Sequence, residues 1–249
     1  MGKLEGKTAV ITGGASGIGL ATAKRFAADG AFVYIFGRRK EALDAALSEL
    51  GDSARAIQGD ITKLEDLDRL FETVKSEKGG IDILFANAGI GEFAPLWMIT
   101  PEHYASTFDI NVKGTLFTVQ KALPHFNKDG SIILTGSTVG VTGTEAMSVY
   151  SASKAAVRNF ARSWALDLKG AGVRVNVLSP GATATETLSA LFDTTGAADE
   201  IVAGFADKTP LGRLGDPSET AAVAAFLASD DSSFMTGSEV FVDGGYAQV

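Results

Sequence analysis

Apolar positions along this chain fall into short runs, separated by longer stretches in which they recur every three to four residues. The two patterns alternate from one end of the chain to the other. Thr8-Ala9-Val10-Ile11 is the first run, the pattern of a parallel strand buried on both faces. It passes straight into Thr12-Gly13-Gly14-Ala15-Ser16-Gly17-Ile18-Gly19, then into a helical pattern through Leu20, Ala23, Phe26 and Ala27 that stops near Gly30. Runs at 31–36, 54–59, 81–86, 131–135, 173–179 and 239–242 predict the remaining strands. Helices are predicted over 41–50, from a capping box at Thr62-Lys63-Leu64-Glu65 towards Lys78, and from an N-cap at Thr100 with Pro101 in the first turn. Two more are predicted over 149–168 and from Asp216-Pro217-Ser218-Glu219 to about Leu227. The pattern from Thr100 to about Phe126 is too long for one uncomplicated helix, and polar Asn111 followed closely by Gly114 marks a kink within it.

This alternation predicts βαβ units and an α/β fold: a Rossmann-like, doubly wound, parallel seven-stranded sheet with helices on both faces. No repeat, linker or low-complexity tail interrupts it, so residues 1–249 are expected to form a single domain. The Ala-, Thr- and Gly-rich stretch at about 186–211 carries weak helical signal at a strand's C-terminal edge, where a lid over bound ligand is expected.

Ligands of such sheets sit beyond the carboxyl ends of the strands. The glycine turn after the first strand supplies the context of a dinucleotide site: its glycines let the backbone approach a pyrophosphate, and the following helix N-terminus stabilises the negative charge. At the end of the second strand a carboxylate that would accept from the ribose hydroxyls of NAD is missing, and Arg38 and Arg39 stand there instead. Arginine bonds a 2'-phosphate in a bidentate manner, at roughly 1.5–3 kcal/mol for a charged hydrogen bond, so NADP is the expected cofactor. Asp60, just beyond the third strand, is placed to meet an adenine edge.

Tyr150 and Lys154 are one helical turn apart on one face. A nearby ammonium favours the ionised form of a phenol that otherwise titrates near pH ~10, which makes the pair a workable proton-transfer device. Tyr-x-x-x-Lys alone is a common accident of helical sequence. Ser137, thirteen residues earlier at the end of a buried run, and the phosphate turn give it a chemical context.

Composition narrows the field. A formal net charge of -8 with no basic run longer than Arg38-Arg39-Lys40 argues against nucleic acid or anionic membrane as the main partner. The absence of cysteine excludes disulfides and thiolate chemistry, and His103 and His125 match no metal-ligand spacing, so no metal is expected. No apolar stretch reaches the roughly 18 residues of a membrane span and no signal-peptide core opens the chain, so a soluble cytoplasmic protein is expected.

Taken together these residues resemble the short-chain dehydrogenase/reductase family over nearly the whole chain. The resemblance is carried by Thr12 to Gly19, Asn87-Ala88-Gly89, Asn111, Ser137, Tyr150 with Lys154, Pro180-Gly181 with Thr185, and Val242-Asp243-Gly244-Gly245. It implies a nicotinamide cofactor, carbonyl/alcohol chemistry and a homotetramer. It implies Tyr150 as proton donor in reduction and base in oxidation, Ser137 as the group polarising the carbonyl oxygen, Lys154 as tuning the phenol and holding the nicotinamide ribose, and Asn111 as supporting a water chain to Lys154.

The same resemblance places Gly13, Ser16, Gly17, Ile18, Gly19, Arg38, Arg39, Ala88, Gly89, Pro180 and Gly181 at the cofactor. Thr183 and Thr185 fall near the carboxamide, and Asp60, Ile61 and Asn87 around the adenosine half. The substrate pocket would comprise Gly91, Phe93, Ser137, Val139, Glu145, Met147 and Tyr150. These are mostly apolar or small, which implies an uncharged ketone or aldehyde, or its secondary alcohol. The alternatives are a 3-oxoacyl carrier-protein reductase, whose acidic partner would look to Lys128 and Lys169, an NAD-dependent alcohol or sugar dehydrogenase, and a non-catalytic NADP-binding regulator. Two departures stand out. Ser16 occupies a position that many NADP-using members fill with a basic residue, which leaves NAD use open, and Gly136 stands where a second serine is common.

Overall fold

The computed structural model describes residues 2–186, 188–189 and 198–249. Strands β1 (Thr8–Thr12), β2 (Phe32–Gly37), β3 (Ala54–Gln58), β4 (Ile81–Ala86), β5 (Phe126–Thr135), β6 (Arg174–Pro180) and β7 (Glu239–Val242) form one parallel sheet in the order β3-β2-β1-β4-β5-β6-β7. Successive side chains of a strand face opposite sides. In β1, Val10 joins an apolar cluster with Leu67, Leu70, Phe71, Val119 and Val157, while Ala9 and Ile11 join a second with Phe26, Leu43 and Ala224. The first cluster is roofed by α3 (Leu64–Lys78), α5 (Thr115–Ala122) and α6 (Ser148–Asp167), the second by α1 (Gly17–Ala28), α2 (Lys40–Leu50) and α8 (Pro217–Ala228). Burial on both faces is why the strands read as continuous apolar runs. The strand order reverses between β1 and β4, which opens a crevice at their carboxyl ends.

The kink expected at Asn111 is a single widened turn. Helix α4 (Pro101–Phe108), capped by Thr100 Oγ1 accepting the His103 N–H at 3.2 Å, runs into a π-helical turn over Asp109–Gly114 before α5 begins. Gly114 leaves space there for the Ile61 side chain, whose Cδ1 would stand 2.7 Å from a Cβ. The capping box at Asp216 is present, with Glu219 accepting the Asp216 N–H at 2.7 Å.

Two expectations are corrected. The Thr62 capping box does not form: Thr62 N–H and hydroxyl both donate to Asp60 Oδ1, each at 2.9 Å, and α3 starts after Lys63. An aspartate two residues upstream offers the closer acceptor, and the Asp60 N–H in turn donates to Asp66 at 2.9 Å. Strand β5 begins at Phe126, not Ser131. Phe126 pairs with Ile81, the register then shifts, and Asn127 Nδ2 ties the polar interruption to Asp82 at 3.1 Å. The lid expected at 186–211 falls in part outside the described residues. Its second half is α7 (Ala198–Lys208), where the Phe205 ring meets Tyr246 of the C-terminal turn at 6.2 Å between centroids. No helix among the described residues is long and apolar enough to cross a membrane.

Candidate active site

The crevice between β1 and β4 is closed at its base by Thr12, whose Oγ1 accepts the N–H groups of Asn87 and Ala88 at 3.0 and 3.1 Å. Above it lies a cavity of about 550 Å³ lined by Gly13, Ser16, Arg38, Arg39, Asp60, Ile61, Ala88 and Gly89. A second cavity of about 250 Å³ shares Gly13, Ser16, Ala88 and Gly89 with it and continues to Gly17, Ile18, Asn87, Gly91, Tyr150, Lys154 and Thr185. The glycine turn therefore joins a compartment with two exposed arginines to one with the tyrosine–lysine pair.

The glycines of the turn have separate reasons. Gly13 and Gly17 take left-handed φ of 66° and 52°. Gly19 lies inside a tight approach of helix to turn, where a Cβ would meet Gly13 O at 2.1 Å.

At the far end, Lys154 is 5 % exposed, donates to Thr135 O at 2.9 Å, and holds its ammonium 5.6 Å from the Tyr150 ring centroid. Burial lowers the lysine to about 8. Burial also pushes the Tyr150 phenol up from its ordinary value, and a hydrogen bond with Ser137 pulls it partly back. The expectation of a phenol lowered by Lys154 is not met in this state, because desolvation outweighs the opposing contribution and that contribution comes from Ser137. Ser137 sits just past β5, and its Oγ also accepts the Val139 N–H at 3.4 Å. Asn111 is 1 % exposed: its Oδ1 accepts the Ile90 N–H and its Nδ2 donates to Ile90 O, both at 2.9 Å, and Nδ2 also donates to Ser153 Oγ at 3.0 Å. Gly89 leaves room for this arrangement, since a Cβ there would stand 3.1 Å from Asn111 Oδ1 and 3.5 Å from Lys154 Nζ.

Several residues fall elsewhere than expected. Asn87 lies along the second cavity, apart from Arg38, Arg39 and Asp60, and its amide braces the strand ends through Thr12 O, Gly13 O and Thr135 Oγ1. Pro180, Gly181 and Thr183 line neither cavity. They shape the end of β6, where Gly181 N–H donates to Val242 O and Thr183 bridges to Gly215, and from which Thr185 reaches the turn beside Gly17. Of the expected substrate residues, Gly91 packs on the Tyr150 ring, where a Cβ would be 3.4 Å from its edge. Phe93, Val139, Glu145 and Met147 lie outside the second cavity, on two loops tied together by the Ala94 N–H donating to Ala146 O at 2.7 Å. Sequence reasoning gave Thr12 no role beyond its place in the glycine motif and assigned none to Thr135, Ile90 or Ser153. Only Ser153, a polar residue on the inward face of an otherwise apolar helical stripe, left a readable signal.

Comparison with known proteins agrees with this geometry. A family profile described as enoyl-(acyl carrier protein) reductase matches residues 13–247. Oxidoreductase asL5 of Sarocladium schorii is 57% identical over 249 residues, covering 99% of this chain and 98% of its own. The NADP-dependent (R)-specific alcohol dehydrogenase of Lentilactobacillus kefiri is 36% identical, covering 98% of each. Among solved structures, a short-chain dehydrogenase/reductase described as glucose/ribitol dehydrogenase, from Brucella melitensis, superposes with a TM-score of 0.93 at 33% identity over 100% of both chains.

Proposed function

The chain belongs to the short-chain dehydrogenase/reductase family, an oxidoreductase family that binds NAD(P) and acts on CH–OH and C=O groups, and on that premise we propose an NADP(H)-dependent reductase of uncharged ketones or aldehydes, reversible towards secondary alcohols. The observation that supports this reading is that two cavities share the glycine turn, one lined by Arg38 and Arg39 and the other by Tyr150 and Lys154, with Ser137 hydrogen-bonded to Tyr150.

The residues present fit the cofactor. Left-handed Gly13 and Gly17 keep side chains out of the path of a pyrophosphate, and the α1 N-terminus directs its free N–H groups there. Arg38 and Arg39 would hold the 2'-phosphate, Asp60 and Ile61 the adenine, and Thr185 and Lys154 the nicotinamide half. When bound, the nicotinamide supplies or accepts the hydride. Tyr150 gives its phenolic proton to the carbonyl oxygen in reduction and takes it back in oxidation. Ser137 donates to the same oxygen and orients it against the phenol. Lys154 holds positive charge beside the phenol, and the Asn111 turn supports the path by which protons reach that lysine. The Phe93 and Glu145 loops would form the substrate walls, with residues 186–211 as lid over a single domain.

We also assign a soluble cytoplasmic homotetramer. Leu166 on α6 and Phe234 before β7, 75 % and 105 % exposed in one subunit, support burial against further copies. A 3-oxoacyl carrier-protein reductase is the second reading, favoured by 36% identity over 248 residues with a 3-oxoacyl-[acyl-carrier-protein] reductase of Thermotoga maritima. A net charge of -8, with Lys128 and Lys169 the suggestive cations, weighs against an acidic partner.

The test is oxidation of NADPH and of NADH with a panel of ketones and aldehydes, wild type beside Tyr150→Phe. Turnover that prefers NADPH and falls by roughly 10²-fold or more in the variant supports the proposal. Cofactor binding without turnover of any carbonyl, acyl thioesters included, would favour a regulator instead.

A further inference from the structure

We propose that Ser153 is a positioning residue for Tyr150, locking the Asn111 turn to the first turn of α6. The inference rests on the reading of Tyr150 as acid and base given above. Ser153 is completely buried, and its hydroxyl makes two directed bonds: it donates to the Tyr150 carbonyl at 2.7 Å and accepts from Asn111 Nδ2 at 3.0 Å. The other bonds of the Asn111 amide go to the backbone of Ile90. One residue further on, Gly91 lies beside the Tyr150 ring, where an added Cβ would be 3.4 Å from its edge. Tyr150 is thus held at its backbone by Ser153, and the segment that passes beside its ring is tied to the same asparagine amide.

The hydroxyl is not required to complete the helix. The Tyr150 carbonyl faces the N–H of Lys154 in the regular i to i+4 ladder, and Asn111 Nδ2 keeps Ile90 O when Ser153 is removed. What the hydroxyl adds is a fixed distance between the π-helical turn and the catalytic helix. Loss of that distance should loosen the phenol from Ser137, the contact that holds its titration down. Small displacements of a positioned acid reduce turnover more than binding.

The experiment uses the full chain as Ser153→Ala and Ser153→Cys, with two readouts. The first is the titration of Tyr150 in the free protein, followed by the Cζ resonance of 13C-labelled tyrosine and assigned among the four tyrosines with Tyr150→Phe. The second is kcat and KM for whichever carbonyl wild type turns over. In Ser153→Ala the Tyr150 midpoint is expected to move upward, kcat to fall about tenfold, KM to change less than about threefold and NADPH affinity to hold, with Ser153→Cys intermediate. A Tyr150 titration that overlays wild type in both variants overturns the inference. If wild type reduces no carbonyl, the acid/base reading fails while the titration still decides the role of Ser153. Should Ser153→Ala not fold, Ser153→Cys carries both readouts.

Discussion

Gly136 and Ser179 occupy one space: a Cβ on Gly136 would stand 2.2 Å from Ser179 Oγ. That oxygen donates at 2.7 Å to Glu239 Oε1, whose side chain is 10 % exposed and has Arg158 Nε 3.9 Å from its other oxygen. The residue preceding Ser137 is therefore glycine because Ser179 Oγ and, at 2.7 Å, Val177 Cγ1 of β6 already fill the position a side chain would take. The departure from the family's usual serine is a packing trade within the sheet.

Gly136→Ser is accordingly expected to destabilise the protein by about 1–3 kcal/mol, the usual range for overpacking. Ser179→Ala should cost about as much by leaving the Glu239 carboxylate without its hydroxyl donor. Gly136→Ser combined with Ser179→Ala should recover part of both losses, since the new hydroxyl arises beside the vacated one while Val177 Cγ1 stays 2.7 Å from the added carbon. Urea midpoints of the single and double variants check this, and simple additivity would refute the shared-space account.

Arg38 and Arg39 are exposed at the mouth of the larger cavity, and Gln58 Nε2 fixes the Arg38 carbonyl at 2.9 Å. Replacing both with alanine is expected to raise KM for NADPH tenfold or more, as roughly 1.5–3 kcal/mol per charged hydrogen bond requires, while KM for NADH stays within about twofold. Equal losses for the two cofactors would mean that the arginines support the fold and not the 2'-phosphate.

Most of the sheet was legible because strands buried on both faces cannot conceal their composition: β1, β2 and β4 start and stop within a residue or so of their apolar runs. The start of β5 was not legible, since Asn127, Lys128 and Asp129 are polar and Asp129 takes a left-handed φ of 62°. Tyr150 and Lys154 announced themselves by spacing on one helix. The groups that hold them did not, because Ser153, Asn111 and Ile90 meet across segments 21 to 42 residues apart, and only the folded chain brings them together.

With Tyr150 as the proposed acid and base, a raised phenol fixes the sign of the pH dependence. Reduction needs the protonated form, so its rate should hold level from neutral pH and decline only at alkaline pH. Oxidation needs the ionised form and should climb over the same alkaline range. Initial rates in both directions across pH 6–11, roughly the span accessible to the folded protein, check this. An oxidation rate already level at neutral pH would show that bound cofactor reverses the shift.

Lys154 carries a separate stability signature. Its ordinary value of 10.5 falls to about 8 on burial. Below about 8 the amine is charged in both folded and unfolded chains, and the folded one bears the full desolvation cost. Between the two values the unfolded chain binds more protons, so stability rises with pH. Wild type should therefore gain up to about 3 kcal/mol relative to Lys154→Met across that window, read from urea midpoints at a series of pH values. A constant difference would mean that the ammonium is solvated in the folded protein.

Gly89→Ala probes how firmly the site is set. The added carbon would stand 3.1 Å from Asn111 Oδ1, so that oxygen must yield by a few tenths of an ångström, while Lys154 Nζ at 3.5 Å stays at ordinary contact distance. The amide of Asn111 is held by two bonds to the backbone of Ile90 and one to Ser153 Oγ, so the displacement passes into the turn that packs beside Tyr150. Stability is expected to fall by about 1–3 kcal/mol and turnover by roughly tenfold. Thermal midpoints beside kcat decide it: values that both overlay wild type would mean that the amide yields freely and that the site is not rigidly set by it.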